Sequence, residues 1–167
     1  IAKNKYAAQQ LERQRANHTL SRVYLALAEG HWTNQSKSGL IDRPIEKVPE
    51  CFNRYQVTDT GRPSRTEYEV LSEFTYEETP FSLVRLKLQT GRTHQIRVHM
   101  ASLSHPLLGD SIYGHEGFLG FDRAALHSFE ITCQLPGHQD LAVFSSEMPE
   151  DFQKMIAKSI NFSSTLI

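Results

Sequence analysis

Cysteine is scarce in this chain, whose 167 residues include only Cys51 and Cys133. The two residues lie far apart, so they provide neither a disulfide framework nor the paired spacing of a zinc site. We expect two reduced thiols, as is usual in intracellular proteins. The scarcity excludes the class of small secreted proteins that disulfide bonds hold together.

Long apolar runs are also missing. No stretch approaches the roughly 20 apolar residues that cross a bilayer, and the polar start at residues 1–5 lacks the apolar segment of a signal peptide. We therefore expect no membrane partner and a cytoplasmic location, with an organelle as the alternative. The length suits one domain, for which the predicted bounds are 1–167.

The net charge is small, −1 at neutral pH, which argues against nucleic-acid binding through bulk charge alone. The distribution is uneven, however, because residues 1–30 and 79–109 both carry an excess of basic side chains. These side chains are Lys3, Lys5, Arg13, Arg15 and Arg22 in the first segment and Arg85, Lys87, Arg92 and Arg97 in the second. The segments would form one nucleic-acid-binding patch if they met in space, and scattered surface charges are the alternative.

Apolar residues recur with both helical and strand periods, which predicts an α+β domain. The predicted elements are helix 3–16, strand 22–29, a short strand at 39–45 within an irregular stretch 33–63, strands 64–74 and 82–89, a helix after residue 93, strands 124–134 and 141–145, and helix 149–160. The two strands around an acidic turn at 75–80 are expected to pair as an antiparallel hairpin.

The turn after this hairpin is the first candidate for chemistry. Thr90-Gly91-Arg92-Thr93 leads into a helix, with Thr93 as the expected N-cap and Ser104-His105-Pro106 as the stop. A helix start offers free backbone N–H groups to an anion, and Arg92 adds a guanidinium that binds phosphate or carboxylate. The alternative is an ordinary connector between a strand and a helix.

Arg97 lies on the same predicted helix beside an apolar stripe, where an unpaired charge is costly. We expect a buried or half-buried carboxylate partner, and a surface arginine whose charged end reaches water is the alternative. His94 and His99 are five residues apart, about 140° around a helix. Metal-binding histidine pairs on helices are four residues apart, so we expect no metal here.

Tyr24 lies within the nearly all-apolar strand 22–29. It is either a core tyrosine with a satisfied hydroxyl or an aromatic that stacks on an unstacked base at the edge of a pocket. Asp110 and Tyr113 fall in a predicted loop. They are either structural turn residues, which is the usual role of such positions, or functional residues.

The sequence has no Gly-x-Ser-x-Gly, no phosphate-binding Gly-rich loop with lysine and no His-Glu-x-x-His motif, which excludes the enzyme classes that those motifs define.

The longest motif of the chain is also the most specific. It consists of Leu88-x-Thr-Gly-Arg-Thr-His-Gln-Ile-Arg-Val-His99, His105-Pro-Leu-Leu-Gly-Asp110 and Tyr113-Gly114. This succession resembles the third motif of the RluA-type pseudouridine synthases, which modify ribosomal and transfer RNA. Further segments agree in order with that family, namely Arg22-Val-Tyr24-Leu-Ala-Leu-x-Glu-Gly30, Ile41-Asp-x-Pro-Ile45 and Gly61-Arg-Pro-x-x-Thr-x-Tyr-x-Val-Leu71.

The resemblance implies an isomerase that converts uridine to pseudouridine in RNA without a cofactor or metal. It also implies the catalytic-domain fold of that family, a mainly antiparallel mixed sheet flanked by helices. By the resemblance, Tyr24 stacks near the target base and Arg97 pairs with the catalytic aspartate. Because such enzymes grip a flipped-out nucleotide and its phosphates, RNA contacts are assigned to Arg22, Arg92, Thr93 and His94.

The chain departs from the family pattern in one major respect. The His-Arg-Leu-Asp block that carries the nucleophilic aspartate has no counterpart in the sequence, and by the family spacing it would lie shortly before Ile1. We therefore expect an amino-terminally truncated catalytic domain that is inactive alone. A non-catalytic module that binds RNA or a protein is the alternative, and a purely structural domain is a weaker one. Ser104 also stands where the family usually has glycine.

Overall fold

The structure, a computed structural model, describes residues 2–17 and 19–165, with side chains as far as residue 160. Ile1, His18 and residues 166 and 167 lie outside the described residues, and so do the ends of the predicted domain 1–167. The helices are α1 Lys5–Ala16, α2 Gln95–Ser102, α3 Glu150–Thr165 and a short 3-10 turn at Phe118–Gly120. The strands are β1 Ser21–Glu29, β2 Ser38–Asp42, β3 Ile45–Lys47, β4 Tyr55–Val57, β5 Arg65–Tyr76, β6 Thr79–Leu88, β7 Leu126–Gln134 and β8 Leu141–Ser145.

Six of the described strands form one sheet in the order β2-β5-β6-β1-β7-β8, and each neighbouring pair is antiparallel. β1 and β6 lie in the middle, where Ala26, Leu27, Phe81 and Val84 have no exposed surface. A strand that is buried on both faces needs a nearly continuous apolar sequence, and β1 has one. The prediction of an α+β fold with a mainly antiparallel sheet flanked by helices is confirmed.

The two faces of the sheet are covered by different helices, because successive side chains of a strand point to opposite sides. On one face Leu25 and Phe81 pack with Phe152 of α3. On the other face Leu86 packs with Met100 of α2. The second face is the one that positions the candidate site.

The β5–β6 hairpin has a tighter turn than the sequence predicts. β5 continues to Tyr76 and β6 begins at Thr79, so only Glu77 and Glu78 remain between them, not the acidic turn expected at 75–80. Both residues have positive φ, 48° and 62°, as two-residue hairpin turns require in order to match the strand twist. The polar composition of the segment concealed two strand ends that cross-strand pairing stabilises.

The stretch 33–63 also contains more structure than expected. It includes β2 and the ribbon in which β3 and β4 pair from Ile45↔Val57 to Lys47↔Tyr55. Strands of three residues leave almost no periodic signal, so the ribbon depends on pairing that the sequence alone does not reveal. Among the described residues, no helix is long and apolar enough to cross a membrane.

Candidate active site

Tyr24 lies on the face of β1 that packs against α2. It is half-buried in a cluster with Ile96 and Met100 of that helix and with Leu86 of β6. The pairing of β1 with β7 shifts register between Val23 and Tyr24, and a bulge of this kind re-aims a side chain. The hydrogen bonds among the described side chains include none to the Tyr24 hydroxyl, so the structure favours neither a satisfied core tyrosine nor a stacking residue outright.

Gln95 organises the turn that precedes α2, although its side chain is only 2% exposed. Its Oε1 accepts hydrogen bonds from the Thr90 hydroxyl at 2.8 Å and the Arg92 backbone N–H at 3.0 Å. Its Nε2 donates to the carbonyl of Arg65 at 2.9 Å and to the Thr66 hydroxyl at 3.0 Å. One amide therefore satisfies four groups and holds the 90–93 turn against the start of β5.

The helix begins one residue later than predicted. His94, with a left-handed φ of 56°, occupies the N-cap position and makes no side-chain capping bond. The prediction that Thr93 caps the helix is wrong, because the Gln95 side chain satisfies the Arg92 N–H and replaces a conventional cap. At the other end, Ser104 adopts a φ of 66°, a conformation that glycine adopts without strain.

Arg97 and Asp110 form a bidentate ion pair, with Nε to Oδ2 at 2.7 Å and Nη2 to Oδ1 at 2.6 Å. The side chain of Asp110 is fully buried and that of Arg97 is 18% exposed. Asp110 Oδ1 also accepts the backbone N–H groups of Ile112 and Tyr113. The expectation of a buried carboxylate partner for Arg97 is thus confirmed, and the carboxylate comes from the loop after α2.

The ionisation of this pair follows from its contacts. Burial acts to raise the pKa of Asp110, but hydrogen bonds from Arg97 and from the backbone N–H groups of Ile112 and Tyr113 outweigh it and lower the pKa. The hydrogen bond to Asp110 raises the pKa of Arg97 against its own desolvation. Both groups are therefore charged at neutral pH, and each satisfies the other.

Tyr113 connects this pair to the β3–β4 ribbon. Its hydroxyl accepts the backbone N–H of Tyr55 at 3.0 Å and lies 3.0 Å from Nδ1 of His94, and the Arg97 guanidinium lies 5.1 Å from its ring centre. Burial first, and then Arg97, lowers the pKa of His94. A neutral His94 can accept the Tyr113 hydroxyl proton at Nδ1, which places its own proton on Nε2. Tyr113 was assigned to a loop by the sequence, and only its contacts reveal this connecting role.

His99 is buried on the opposite side of α2, with both ring nitrogens occupied. Nε2 lies 2.9 Å from the carbonyl of Arg43 and Nδ1 lies 2.9 Å from the Thr66 hydroxyl. A carbonyl only accepts, so Nε2 carries the proton and Nδ1 accepts from Thr66. Burial lowers the pKa of His99. Within the described part of the chain, no three His, Cys, Asp or Glu side chains gather into a group that could hold a metal ion.

The two basic segments meet where the central strand β1 begins and its neighbour β6 ends, beside the end of α1 and the 90–93 turn. A depression of about 500 Å³ merges there with one of about 270 Å³, and we call the two together the basic groove. Its charged side chains are Arg15, Arg22, Arg65, Lys87 and Arg92, with Glu12 and Glu67. The two segments thus meet in part, through Arg15 and Arg22 of the first and Lys87 and Arg92 of the second, because β1 and β6 are neighbours in the sheet.

A second depression, of about 440 Å³, lies on the other side of the 90–93 turn and is called the ribbon cleft. Its lining includes Lys47, Tyr55 and Arg62, together with Arg92 and Thr93. Gly91 and Arg92 line both the basic groove and the ribbon cleft. The turn therefore forms a ridge between two polar depressions.

The structure brings some of the predicted site residues together and leaves others apart. Arg22 and Arg92 share the basic groove, whereas Thr93 lies in the ribbon cleft. His94 contacts Tyr113 beside Arg97. Tyr24 packs against the cluster that contains Ile96 and Met100, two residues of the helix that carries Arg97.

The sequence did not single out Gln95 or the pairing role of Asp110. Their signal is indirect, since both lie inside the long motif that ends at Tyr113-Gly114. The partners of Gln95 stand up to 30 residues away along the chain and those of Arg97 stand 13 away. Such distances cannot be inferred from local periodicity.

A family model and the sequences of known proteins both match the chain. Residues 1–102, which include Tyr24 and Arg97, match the family model for RNA pseudouridylate synthase. The chain is 35% identical over 164 residues to ribosomal large subunit pseudouridine synthase D of Nitrosomonas europaea, covering 93% of this chain and 46% of that protein. It is 39% identical over 155 residues to an uncharacterized RNA pseudouridine synthase of Bacillus subtilis, covering 93% and 50%. The chain thus spans about half the length of the curated relatives it matches.

Solved structures show the same fold. The human RNA pseudouridylate synthase domain containing 1 superposes with a TM-score of 0.73 at 30% identity, over 88% of this chain and 62% of that chain. The human domain containing 4 superposes with a TM-score of 0.69 over 93% and 68%, and at 19% identity this likeness concerns the fold alone. Sequence and fold together show that the chain belongs to the RNA pseudouridylate synthase family.

Proposed function

We propose that residues 1–167 form the larger part of a catalytic domain that isomerises uridine to pseudouridine in ribosomal or transfer RNA in the cytoplasm. The observation that carries this proposal is the family match, because it covers both Tyr24 and Arg97. The relatives from Nitrosomonas europaea and Bacillus subtilis bear the names of pseudouridine synthases. Ribosomal RNA is the first substrate to test, because the Nitrosomonas relative is named for the large ribosomal subunit.

In this reaction the bond from N1 of uracil to C1′ of ribose breaks and a bond from C5 to C1′ forms. The proton on C5 leaves and N1 gains one, so the isomerisation needs no oxidant or reductant. We assign to Tyr24 the stacking position beside the turning base, since it is aromatic, half-buried and set at a bulge. Arg97 orients the nucleophilic carboxylate, and Asp110 holds the guanidinium in place for that task.

The nucleophilic aspartate is proposed to come from outside residues 1–167. Asp110 is the carboxylate that contacts Arg97, but its side chain is fully buried and both oxygens accept hydrogen bonds. A carboxylate in this state cannot reach a nucleotide without breaking the ion pair. Residues 1–167 alone are therefore expected to bind RNA without modifying it.

RNA contacts are assigned to Arg22, Arg92, Thr93 and His94. The first two lie in the basic groove and Thr93 in the ribbon cleft. His94 is held neutral beside Tyr113, which suits a hydrogen bond to a base or ribose better than an ion pair with phosphate. A non-catalytic RNA-binding module remains the second candidate, and the basic groove is the observation that favours it.

Tritium release from RNA labelled at C5 of uridine tests the proposal, since the C5 proton leaves only when the isomer forms. The assay compares residues 1–167 with the same chain extended by the sequence that its gene encodes upstream of Ile1. We expect release from the extended protein alone. We expect Arg97→Met to abolish it while the molecules that remain folded still bind RNA, since this variant also breaks the buried pair with Asp110. Tyr24→Phe is expected to lower turnover more than stability.

Three other results of these experiments would each contradict one part of the proposal. Release from residues 1–167 alone would overturn the external position of the nucleophile. RNA binding without release from either protein would favour the non-catalytic module. Full turnover of Arg97→Met would remove Arg97 from the catalytic assignment.

A further inference from the structure

Arg22 and Arg92 are the arginines of the basic groove that have no ion pair among the described residues. The Nη2 atom of Arg22 donates one long hydrogen bond, 3.4 Å, to the carbonyl of Thr90. Its Nε is buried, and the described residues supply no partner for it. A guanidinium has five N–H donors, and a buried donor left unpaired costs about 1–3 kcal/mol. The side chain is therefore held in place with most of its hydrogen-bonding capacity unused.

Gly91 is the reason that Arg22 can take this position. A Cβ atom at residue 91 would lie 2.9 Å from Nη2, 3.0 Å from Nη1 and 3.4 Å from Cζ of Arg22. Cζ is the farthest of the three atoms, so the guanidinium directs its Nη1–Nη2 edge at the backbone of Gly91. The φ of Gly91 is not in the left-handed region, so an alanine would fit the backbone and would press only on Arg22.

The groove around Arg22 has the charge of an anion site. Five cationic side chains line it against two carboxylates, although the whole chain carries a net charge of −1. Arg65 is paired with Asp42 and Arg15 with Glu12. Arg22, Lys87 and Arg92 have no ion pair among the described residues, so these three cations are available to an external anion, and Arg22 is the one among them with a buried N–H that lacks a described partner.

We propose that Arg22, set edge-on against Gly91 and flanked by Arg15 and Arg92, binds a backbone phosphate of the RNA. This inference rests on the proposed function and identifies which chemical group of the substrate occupies the basic groove. The phosphate accepts a charge-assisted hydrogen bond from a terminal nitrogen of Arg22, because Nε is buried. The ridge at Gly91 and Arg92 then directs the strand from the basic groove toward the ribbon cleft, where Tyr55 offers a ring for an unstacked base.

The test measures binding of a fluorescent 12-nucleotide oligouridylate to the full chain over a range of salt concentrations. We expect Arg22→Gln to bind roughly 10-fold more weakly, the effect of one charge-assisted contact. The slope of log affinity against log salt should also fall by about 0.7, the contribution of one phosphate contact to a single strand. Arg15→Gln, a second variant on an exposed side chain, should lower affinity and slope in the same direction.

Gly91→Ala separates positioning from direct contact. It should weaken binding in the wild-type background and have no further effect in Arg22→Gln, because its methyl group acts only through that side chain. Lys154→Gln is the matched control, since Lys154 pairs with Glu150 on α3 away from the groove and should leave affinity and slope unchanged.

Three outcomes would overturn the proposal. Arg22→Gln could bind within twofold of wild type with the same salt slope, or Gly91→Ala could weaken binding equally in both backgrounds. The folded wild-type chain could also fail to bind the oligouridylate even at low salt. The tritium assay is independent of all three, so release from the extended protein in any of these cases would leave the proposed function standing and remove only the phosphate site.

Discussion

The two ends of the segment from Thr90 to Arg97 differ in how far their polar groups are satisfied. At one end, Gln95 makes four hydrogen bonds and Asp110 pairs with Arg97 through both oxygens. At the other end, Arg22 lies against Gly91 with a buried Nε for which the described part of the chain supplies no partner. The satisfied end is a scaffold that fixes geometry, whereas the unsatisfied end retains donors for a ligand.

The difference follows from burial. A buried polar group that loses its partner is costly, so a buried network is either complete or is completed by something that binds. We therefore expect substitutions at the satisfied end to lower stability and substitutions in the basic groove to change RNA binding while stability stays nearly constant.

The largest effect is expected at Asp110. Asp110→Asn removes the charge that Arg97 pairs with and should lower the free energy of unfolding by about 3–5 kcal/mol, as for other broken buried pairs. Urea denaturation measures the change. Asp151→Asn is the control, because Asp151 pairs with Arg123 where both side chains are more than 40% exposed, and it should cost at most about 1 kcal/mol. Equal losses would show that the Asp110 pair is not a scaffold.

A second loss is expected at Gln95. Gln95→Leu keeps the volume but leaves the Arg92 N–H without its acceptor and removes one of the two donors to the Arg65 carbonyl, so we expect a loss of about 2–4 kcal/mol in the same denaturation experiment. Gln153→Leu, on the exposed surface of α3, controls for replacing an amide with an apolar group. If the two variants were equally stable, the Gln95 network would contribute little.

The stability of the satisfied end should also depend on pH. Burial lowers the pKa of His99 in the folded protein below the ordinary histidine pKa of about 6.5. Below pH 6.5 the unfolded chain therefore binds a proton at this residue more readily than the folded protein does. The contribution of neutral His99 to the free energy of unfolding is therefore complete above pH 6.5. It falls as the pH decreases, by at most about 1.4 kcal/mol per pH unit for one group. Urea denaturation between pH 8 and pH 5 measures this slope, and a shallower slope in His99→Gln would assign it to this residue. A slope unchanged by that substitution would contradict the assignment.

The smallest effect on stability is expected at Arg22. Arg22→Gln removes one long hydrogen bond and also removes the buried, unpaired Nε, so the free energy of unfolding should fall by less than about 0.5 kcal/mol and can rise. Urea denaturation again provides the measurement. A loss as large as that of Gln95→Leu would mean that Arg22 is part of the scaffold, and the comparison between the two ends would fail.

The sequence determined much of the local structure. The apolar run of β1, the alternation of β5 and β6 and the periodic apolar residues of α3 each reflect burial of one strand face or helix stripe, and the structure confirms them. Local rules failed at Glu77 and Glu78 and at Thr93, where cross-strand pairing and the Gln95 side chain replaced the expected turn and cap.

Tertiary structure alone decided which residues meet. The sequence predicted a carboxylate for Arg97, because a cation beside an apolar stripe needs one, but only the loop after α2 identifies it as Asp110. The sequence also contained two basic segments, yet they join only because β1 lies beside β6 and pairs Val23 with Lys87. Residue type and spacing predict which side chains are buried. Contact between distant segments depends on strand order, which a local sequence pattern does not predict.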